Sequence, residues 1–279
     1  MKQLYDDVSF KCSKLVTKNY STSFSMAVYM LSPSIRDAIY SIYGFVRFAD
    51  EIVDSFHGFD KENLINEFEV EYYKTIERGI SLNPILNSFQ LTVKQYNITD
   101  DLIQAFLKSM KLDLIKSDYN SKAEYDDYIY GSADVVGLMC LKVFVAGDSE
   151  RYNQLKSEAM RLGSAFQKVN FLRDLKDDNL LLNRNYFPGV DLNSFDEKAK
   201  TAIITEIKED FQIAYQGIVK LPIEAKFGVY TAFVYYKKLL TKLENTPCHE
   251  IGNARIRVSN YTKAGLLAQS FVTYKLKLV

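Results

Sequence analysis

The chain has 279 residues, of which 47% are hydrophobic and 25% charged, and its formal net charge is zero. This composition is typical of a globular protein with a sizeable core, and the charge balance argues against a nucleic-acid-binding protein, which needs a basic surplus. Three isolated cysteines and two histidines, with no Cys-x-x-Cys spacing, argue against a disulfide framework or a zinc site.

The predicted elements are all helices. Only 12 glycines and 5 prolines interrupt the chain, and apolar residues recur at helical spacing, without the alternation of strands. We predict helices over Pro33–Phe56, Asp60–Gly79, Pro84–Tyr96, Leu102–Ile115, Tyr125–Val145, Glu150–Leu182, Asp196–Val219 and Ile223–Leu243, with another after Ile251. No shift in composition marks a boundary, so we expect one all-α domain over residues 1–279, a helical bundle around one interior.

The sequence carries no pattern of a targeting or membrane-spanning segment. Residues 1–14 bear charges throughout, unlike a signal peptide. The longest apolar segment, Val135–Ala146, is shorter than the about 20 residues that span a bilayer. We therefore expect a soluble protein of a reducing, cytoplasmic compartment.

Two aspartates at helical spacing stand out in the first predicted helix. Asp50 and Asp54 lie four residues apart, so they share one side of the helix with Tyr43 and Arg47. This side flanks the apolar stripe, and the acids therefore border the interior. Like charges at this spacing repel each other slightly, and a cation between them would remove that cost.

The same spacing recurs in the long helix. Asp174 and Asp178 share a face with Gln167 and Asn170. Two carboxylate pairs on two helices form a plausible cage for Mg²⁺, which prefers oxygen ligands and is commonly shared with substrate phosphates. The lack of Cys and His clusters favours magnesium over zinc or iron.

Acid pairs at this spacing are also common on solvated helix faces, and Glu67 with Glu71 forms another. The neighbouring arginines favour a binding site, because a diphosphate needs cationic donors as well as metal. Arg47 accompanies the first pair and Arg173 the second.

Four segments, in this order and spacing, resemble the squalene/phytoene synthase family over nearly the whole chain. They are Tyr20-Ser-Thr-Ser-Phe24, the segment Ile42–Asp54 that ends in Asp-Glu-Ile-Val-Asp, the segment Tyr130–Gly137, and Gln167–Asp178 followed by Arg184 and Tyr186-Phe-Pro188. The resemblance implies the isoprenoid synthase fold, a single helical bundle around a deep central cavity.

The resemblance also implies roles for individual residues. Carried over by position, the metal ligands for Mg²⁺, or Mn²⁺ in its place, are Asp50, Asp54, Asn170, Asp174 and Asp178. The substrate-binding residues are Ser21, Ser23, Tyr43, Arg47, Gln167, Asn170, Arg173 and Arg184, and Tyr130 matches a tyrosine near the reacting carbons. Helix capping is the alternative for the serines, and core packing is the alternative for Tyr130.

Two features depart from the family pattern. Asp134 stands where many members have a small residue, beside the expected hydrocarbon tunnel, so the sequence does not determine the shape of the tunnel. The segment containing Arg255 and Arg257 only loosely resembles the basic tail of the family, and its contact with a diphosphate is equally open.

The reaction implied is the magnesium-dependent head-to-head condensation of two prenyl diphosphates through a cyclopropyl diphosphate. We expect geranylgeranyl diphosphate as substrate, phytoene as product and no NADPH. The alternatives are a squalene-type enzyme using two farnesyl diphosphates and a non-catalytic relative acting as an assembly factor. A di-iron carboxylate bundle would need Glu-x-x-His pairs, and the sequence contains none. Because substrate and product are greasy, we expect peripheral membrane contact, with a downstream carotenoid desaturase as a further partner and no nucleic acid.

Overall fold

The computed structural model describes residues 1–182, 184–188, 195–251, 256–276 and 279, with the side chains of 176–182 left aside. Its helices are α1 (Lys2–Tyr20), α2 (Thr22–Tyr29), α3 (Pro33–Ser55), α4 (Lys61–Arg78), α5 (Pro84–Tyr96), α6 (Asp100–Leu112), α7 (Lys122–Ile129), α8 (Val135–Phe144), α9 (Ser149–Leu182), α10 (Glu197–Ile218), α11 (Ile223–Glu244), α12 (Cys248–Ile251) and α13 (Asn260–Lys275), and a π-helical turn, Tyr130–Asp134, joins α7 to α8. No strand occurs within these ranges, which confirms the predicted all-α class.

Local sequence signals set several helix ends. The side chain of Asn83 accepts hydrogen bonds from the backbone of Ile85 and Leu86, and Pro84 occupies the first turn, so α5 begins where the sequence predicts. Gly79 ends α4 with a φ of 74°, a left-handed conformation that glycine adopts without steric cost.

Helix α3 runs through the core and carries the first aspartate pair at its carboxyl end. Phe45 is fully buried and stacks on Phe89 at 4.0 Å between ring centroids, with Phe68, Tyr72 and Phe106 around it. Burial of these rings against α4, α5 and α6 fixes the position of α3, since each buries a large apolar surface. The aspartates near its end are therefore held by a rigid element.

The helix predicted over Tyr125–Val145 is divided by the π-helical turn. Two glycines permit the close packing there: a Cβ on Gly131 would lie 2.0 Å from Ser109 Oγ, and one on Gly163 would lie 2.8 Å from the carbonyl oxygen of Ala133. The backbone of the turn therefore packs closely against both α6 and α9, with no room for a side chain at either glycine.

Helices α1 and α2 were not among the predicted elements. The buried face of α1 consists of Ser9, Ser13 and Thr17, so it lacks the apolar stripe that marks a core-facing helix. Ser13 Oγ instead shares a hydrogen bond of 2.8 Å with Ser88 Oγ on α5. Within the described ranges, every helix is too short or too polar to cross a bilayer.

Candidate active site

The first aspartate pair lies beside a shared arginine. Arg47 forms ion pairs with both Asp50 and Glu51, and its guanidinium lies over the ring of Tyr20 at 4.4 Å. Burial raises the pKa of Asp50, and the nearby Asp54 carboxylate raises it further, although Arg47 opposes the shift. The charged form of Asp50 is thus under-compensated, which is the electrostatic condition of a cation site.

Asp54 connects the two sequence motifs. The Nη1 of Arg184, in the tail of the second motif, donates to Asp54 Oδ1 at 2.7 Å, and Nη2 donates to the carbonyl oxygen of Asp113 at 2.9 Å. Arg184 is buried, and the surrounding carboxylates and Tyr186 raise its pKa despite desolvation. The guanidinium of Arg184 is therefore held between the end of α3 and the segment that follows α9.

Asp113 belongs to this cluster, although the sequence analysis missed it. Its Oδ2 accepts a hydrogen bond from Tyr128 at 2.9 Å, its Oδ1 is buried without a partner, and burial raises its pKa to about 7. The available signal was a carboxylate in register with the buried residues Met110 and Phe106, which lie three and seven positions earlier on the α6 stripe. A buried carboxyl oxygen without a hydrogen-bond partner costs free energy and is rare in folded proteins. Buried acids with raised pKa values are concentrated at functional sites.

The second motif lies on α9. Arg173 Nε donates to Asp174 Oδ1 at 2.9 Å, and Asn170 Oδ1 accepts from the hydroxyl of Tyr236 at 3.3 Å. Gln167 and Asn170 both line the central cavity. The side chain of Asp178 lies outside the described residues.

Tyr43 belongs to the first motif. It lines the cavity together with Asn170 and Tyr236, and burial raises its pKa to about 12, with Arg47 and a hydrogen bond from Ser21 acting in the opposite direction. Tyr43 on α3 and Tyr236 on α11 thus both line the cavity near the charged groups of the two motifs.

Ser21 serves as a helix cap as well as a neighbour of Tyr43. Its Oγ accepts a hydrogen bond from the backbone of Phe24 at 3.2 Å and so caps α2. Ser23 lies half-buried in the first turn of the same helix. The capping alternative for Ser21 is therefore realised, and it holds the serine pair beside α3.

Tyr130 lies outside this group. It is half-buried in the π-helical turn, and the acids that raise its pKa, after burial itself, are Asp101 and Asp134. It is absent from the cavity lining, where Ser132 and Ala133 appear. Among the described tyrosines of this region, Tyr128 is the one bonded into the Asp113 cluster.

Asp134, the departure from the family pattern beside the expected tunnel, faces α9. Its Oδ1 accepts a hydrogen bond of 2.7 Å from Ser164, and burial raises its pKa to about 7. The side chain is absent from the cavity lining. Of the basic segment, Arg257 is exposed, and Arg255 lies outside the described residues.

An apolar cavity of about 300 Å³ begins at these polar groups and extends between α2, α3, α8, α9, α10 and α11. Its polar end contains Tyr43, Gln167, Asn170 and Tyr236. The wall consists mostly of aliphatic and aromatic side chains, including Phe24, Val28, Ile39, Ile42, Val46, Phe144, Leu155, Leu162, Phe166 and Leu221. A ligand with an anionic head and a hydrocarbon tail would fit this division of polarity.

The described acids suit a hard divalent cation in chemistry. Asp50, Asp54 and Asp174 offer carboxylate oxygens, and each has an arginine beside it. Among the residues with described side chains, no three acids, histidines or cysteines lie close enough together to enclose one ion. The described side chains therefore do not by themselves enclose a metal ion, and phosphate oxygens of a substrate would have to complete the coordination.

Comparisons with known proteins identify the family of the chain. The family model described as squalene/phytoene synthase matches residues 17–262. The chain is 25% identical to a phytoene synthase of Arthrospira platensis, covering 91% of this chain and 90% of that protein, and 27% identical to a 15-cis-phytoene synthase of Synechocystis, covering 85% and 77%. It spans only 62% of the length of the chloroplastic phytoene synthase 1 of tomato, Solanum lycopersicum, at 24% identity over 88% of this chain.

Solved structures share the fold. A dehydrosqualene synthase matches with a TM-score of 0.82 at 19% identity, covering 98% of both chains. A squalene synthase from Alicyclobacillus acidocaldarius matches with a TM-score of 0.74 at 21% identity, covering 86% of this chain and 94% of that one. With the family model spanning most of its length, the chain belongs to the squalene/phytoene synthase family.

Proposed function

We propose that this protein condenses two geranylgeranyl diphosphates head to head into phytoene. The observation that carries the proposal is the length of the apolar cavity below the charged site. Asn170 and Leu155 both line it, and they lie 15 residues apart on α9, which corresponds to about 22 Å at 1.5 Å per residue.

This length matches a 20-carbon tail. An extended chain advances roughly 1.25 Å per bond, for a carbon–carbon bond of about 1.52 Å. The main chain of a geranylgeranyl group, with about 16 carbons, is then about 19 Å long, and that of a farnesyl group, with about 12, is about 14 Å. The longer tail would end about 3 Å short of the level of Leu155, within reach of its side chain, whereas the shorter would end about 8 Å short and leave that end unfilled.

The residues of the site have distinct parts in the proposed reaction. Arg47, Arg173 and Arg184 would neutralise the departing diphosphate, and Arg47 has a buried Nε without a partner that is available for a phosphate oxygen. Bound Mg²⁺ would add Lewis-acid stabilisation of the leaving group. The apolar wall would hold the second chain against the allylic cation and exclude water, which would otherwise quench it to an alcohol.

The steps that follow consume no reductant. Attack by the double bond of the second chain and loss of a proton would form the cyclopropyl diphosphate. A second ionisation, ring opening and loss of another proton would give the conjugated triene and release the second diphosphate. NADPH is therefore not required, and a carotenoid desaturase would be the expected consumer of the product.

A squalene-type reaction with two farnesyl diphosphates remains the second candidate because of the volume of the cavity. About 300 Å³ is at the low end of the range for ligand pockets, and two shorter tails need less widening of the walls than two longer ones.

The deciding experiment supplies the purified protein with Mg²⁺ and either geranylgeranyl or farnesyl diphosphate, without NADPH, and separates the extracted hydrocarbons by chromatography. A 40-carbon triene from the first tube and little product from the second is the expected result. A 30-carbon product or an alcohol as the main species would transfer the protein to the squalene-type branch. No product from either tube, with a helical circular dichroism spectrum, would support the non-catalytic alternative.

We further infer a cytoplasmic location with peripheral membrane contact through α13. Its exposed side chains include Tyr261, Phe271 and Val272, and Leu276 directly after its last residue is exposed as well. Residues 251–279 contain five Lys and Arg but no Asp or Glu. An apolar helix face with flanking cations favours an anionic lipid surface. The protein should float with anionic liposomes at low salt, and full separation from them would contradict the inference.

A further inference from the structure

The far end of the apolar cavity lies directly behind a hollow on the protein surface. The hollow is lined by Arg151, Gln154, Leu155, Lys220 and Pro222. Leu155 lines both the hollow and the cavity and is itself only 5% exposed. At this point the barrier between cavity and solvent is one side chain thick.

Neighbouring residues complete this barrier. Leu221 lines the cavity, while the next residue, Pro222, lines the hollow. Glu158 lines the cavity as well, and its carboxylate forms an ion pair of 3.5 Å with Lys220, which lines the hollow. The stem of Glu158 fills the space beside Gly217, where a Cβ would lie 2.5 Å from Glu158 Cβ. The ion pair therefore turns the charge of Glu158 away from the apolar interior.

We propose that Leu155 is the terminal stop for the prenyl tail and so determines the length of substrate that the enzyme accepts, an inference that rests on the proposed function. Among the described cavity-lining residues of α9, Leu155 lies farthest along the helix from Asn170. Ala159 and Leu162 also line the cavity, but they lie about 16 Å and about 12 Å along the helix from Asn170. A farnesyl tail of about 14 Å ends before Ala159, and a geranylgeranyl tail of about 19 Å extends beyond it toward Leu155.

The test is a competition between equimolar geranylgeranyl and farnesyl diphosphates, read as the ratio of their kcat/KM values. Leu155→Phe shortens the cavity at its end, and it should lower the 20-carbon to 15-carbon ratio at least tenfold. Leu155→Ala thins the barrier, and it should raise the relative use of a 25-carbon prenyl diphosphate at least tenfold. Gln154→Phe is the matched control, because Gln154 lines only the outer hollow, and it should not change either ratio.

Leu162→Phe distinguishes a stop from general narrowing. It obstructs the cavity midway and should slow both substrates together, so the ratio should change less than threefold. Equal loss of both substrates in Leu155→Phe, or an unchanged ratio in both Leu155 variants, would overturn the proposal.

Binding of unreactive thiodiphosphate analogues of the two substrates, measured by calorimetry, separates this inference from the proposed function. If the wild type makes no hydrocarbon, the proposed function fails. The inference then still requires that Leu155→Phe weaken the 20-carbon analogue at least tenfold relative to the 15-carbon analogue, which corresponds to about 1.4 kcal/mol. An unchanged ratio of the two Kd values would refute it whatever the activity.

Discussion

Replacing Asp50 with Asn should stabilise the metal-free protein at pH 8 while abolishing turnover. Most substitutions of half-buried residues destabilise a protein, so this prediction runs against the usual direction. It follows from the burial of Asp50 and from the crowding of negative charge near the end of α3, where Asp54, Asp113 and Glu51 each disfavour the charged form of Asp50.

The magnitude can be estimated from the helix geometry. Side chains at i and i+4 are about 6 Å apart, and two like charges at that distance repel by about 3 kcal/mol at an effective dielectric constant of 20. Because the Asp50 side chain is 33% exposed, solvent screening lowers the expected gain to about 1–2 kcal/mol. Arg47 would lose one partner in the variant but keep Glu51, so no buried cation is left uncompensated.

The sign of the pH dependence follows from the raised pKa of Asp50. Below the ordinary aspartate value of about 3.9, the carboxyl is protonated in both folded and unfolded chains, and it carries no charge penalty. As the pH rises, the unfolded chain releases its proton first, and the wild type loses stability relative to Asp50→Asn. The advantage of the variant should therefore be small at pH 4 and fully developed at pH 8.

Thermal unfolding followed by circular dichroism, in EDTA, measures this difference. A gain of about 1–2 kcal/mol should raise Tm by roughly 2–3 °C for a chain of this size. Added Mg²⁺ with an unreactive diphosphate should raise Tm in the wild type and much less in the variant. Glu67→Gln is the matched control, because Glu67 also has an acid at i+4 but is exposed on α4, and it should change Tm by less than about 1 °C. A lower Tm for Asp50→Asn at pH 8 would refute the electrostatic reasoning.

Three further predictions concern α9 and its neighbours. Lys168→Met removes the cation from a buried ion pair with Asp210, in which the two atoms lie 2.7 Å apart. The free energy of unfolding, measured in urea, should fall by about 3–5 kcal/mol, and a loss below about 1 kcal/mol would contradict this. Asp134→Asn retains the hydrogen bond from Ser164 but removes a carboxyl whose pKa is raised to about 7. Between pH 4 and pH 8 the free energy of unfolding of this variant should therefore rise by up to about 4 kcal/mol relative to that of the wild type, and parallel pH curves for the two proteins would count against the prediction. Asp174→Asn should keep the helical spectrum yet lose turnover, and an active enzyme would refute the proposed metal site.

Much of the fold could be predicted because local signals and tertiary packing agree. For α5, Asn83 and Pro84 supply the start, and the apolar stripe supplies the buried face. For α1 they do not agree, because its contact with α5 runs through small hydroxyl groups such as Ser13. Hydrophobic periodicity cannot detect a face that is buried through hydrogen bonds.

The site illustrates a different limit. Spacing within one helix places Asp50 beside Asp54, and the same argument groups Asn170 with Asp174 on α9. Contacts that join distant segments, such as Arg184 with Asp54 across 130 positions, depend on how the helices pack. The register of Asp113 with the buried stripe of α6 indicates that it is buried, but its partners Tyr128 and Arg184 depend on the same packing and could not be inferred from its neighbours in sequence.

The π-helical turn between α7 and α8 acts as a one-residue insertion in an otherwise continuous helical rod. One additional residue rotates everything after it by about 100° about the helix axis. The rod can therefore direct Tyr128 toward Asp113 before the turn and present Val136 and Cys140 to the cavity after it. Deleting a single residue within Tyr130–Asp134 would restore a regular helix but turn α8 the wrong way, so this length of chain is constrained by rotational phase as well as by side-chain identity.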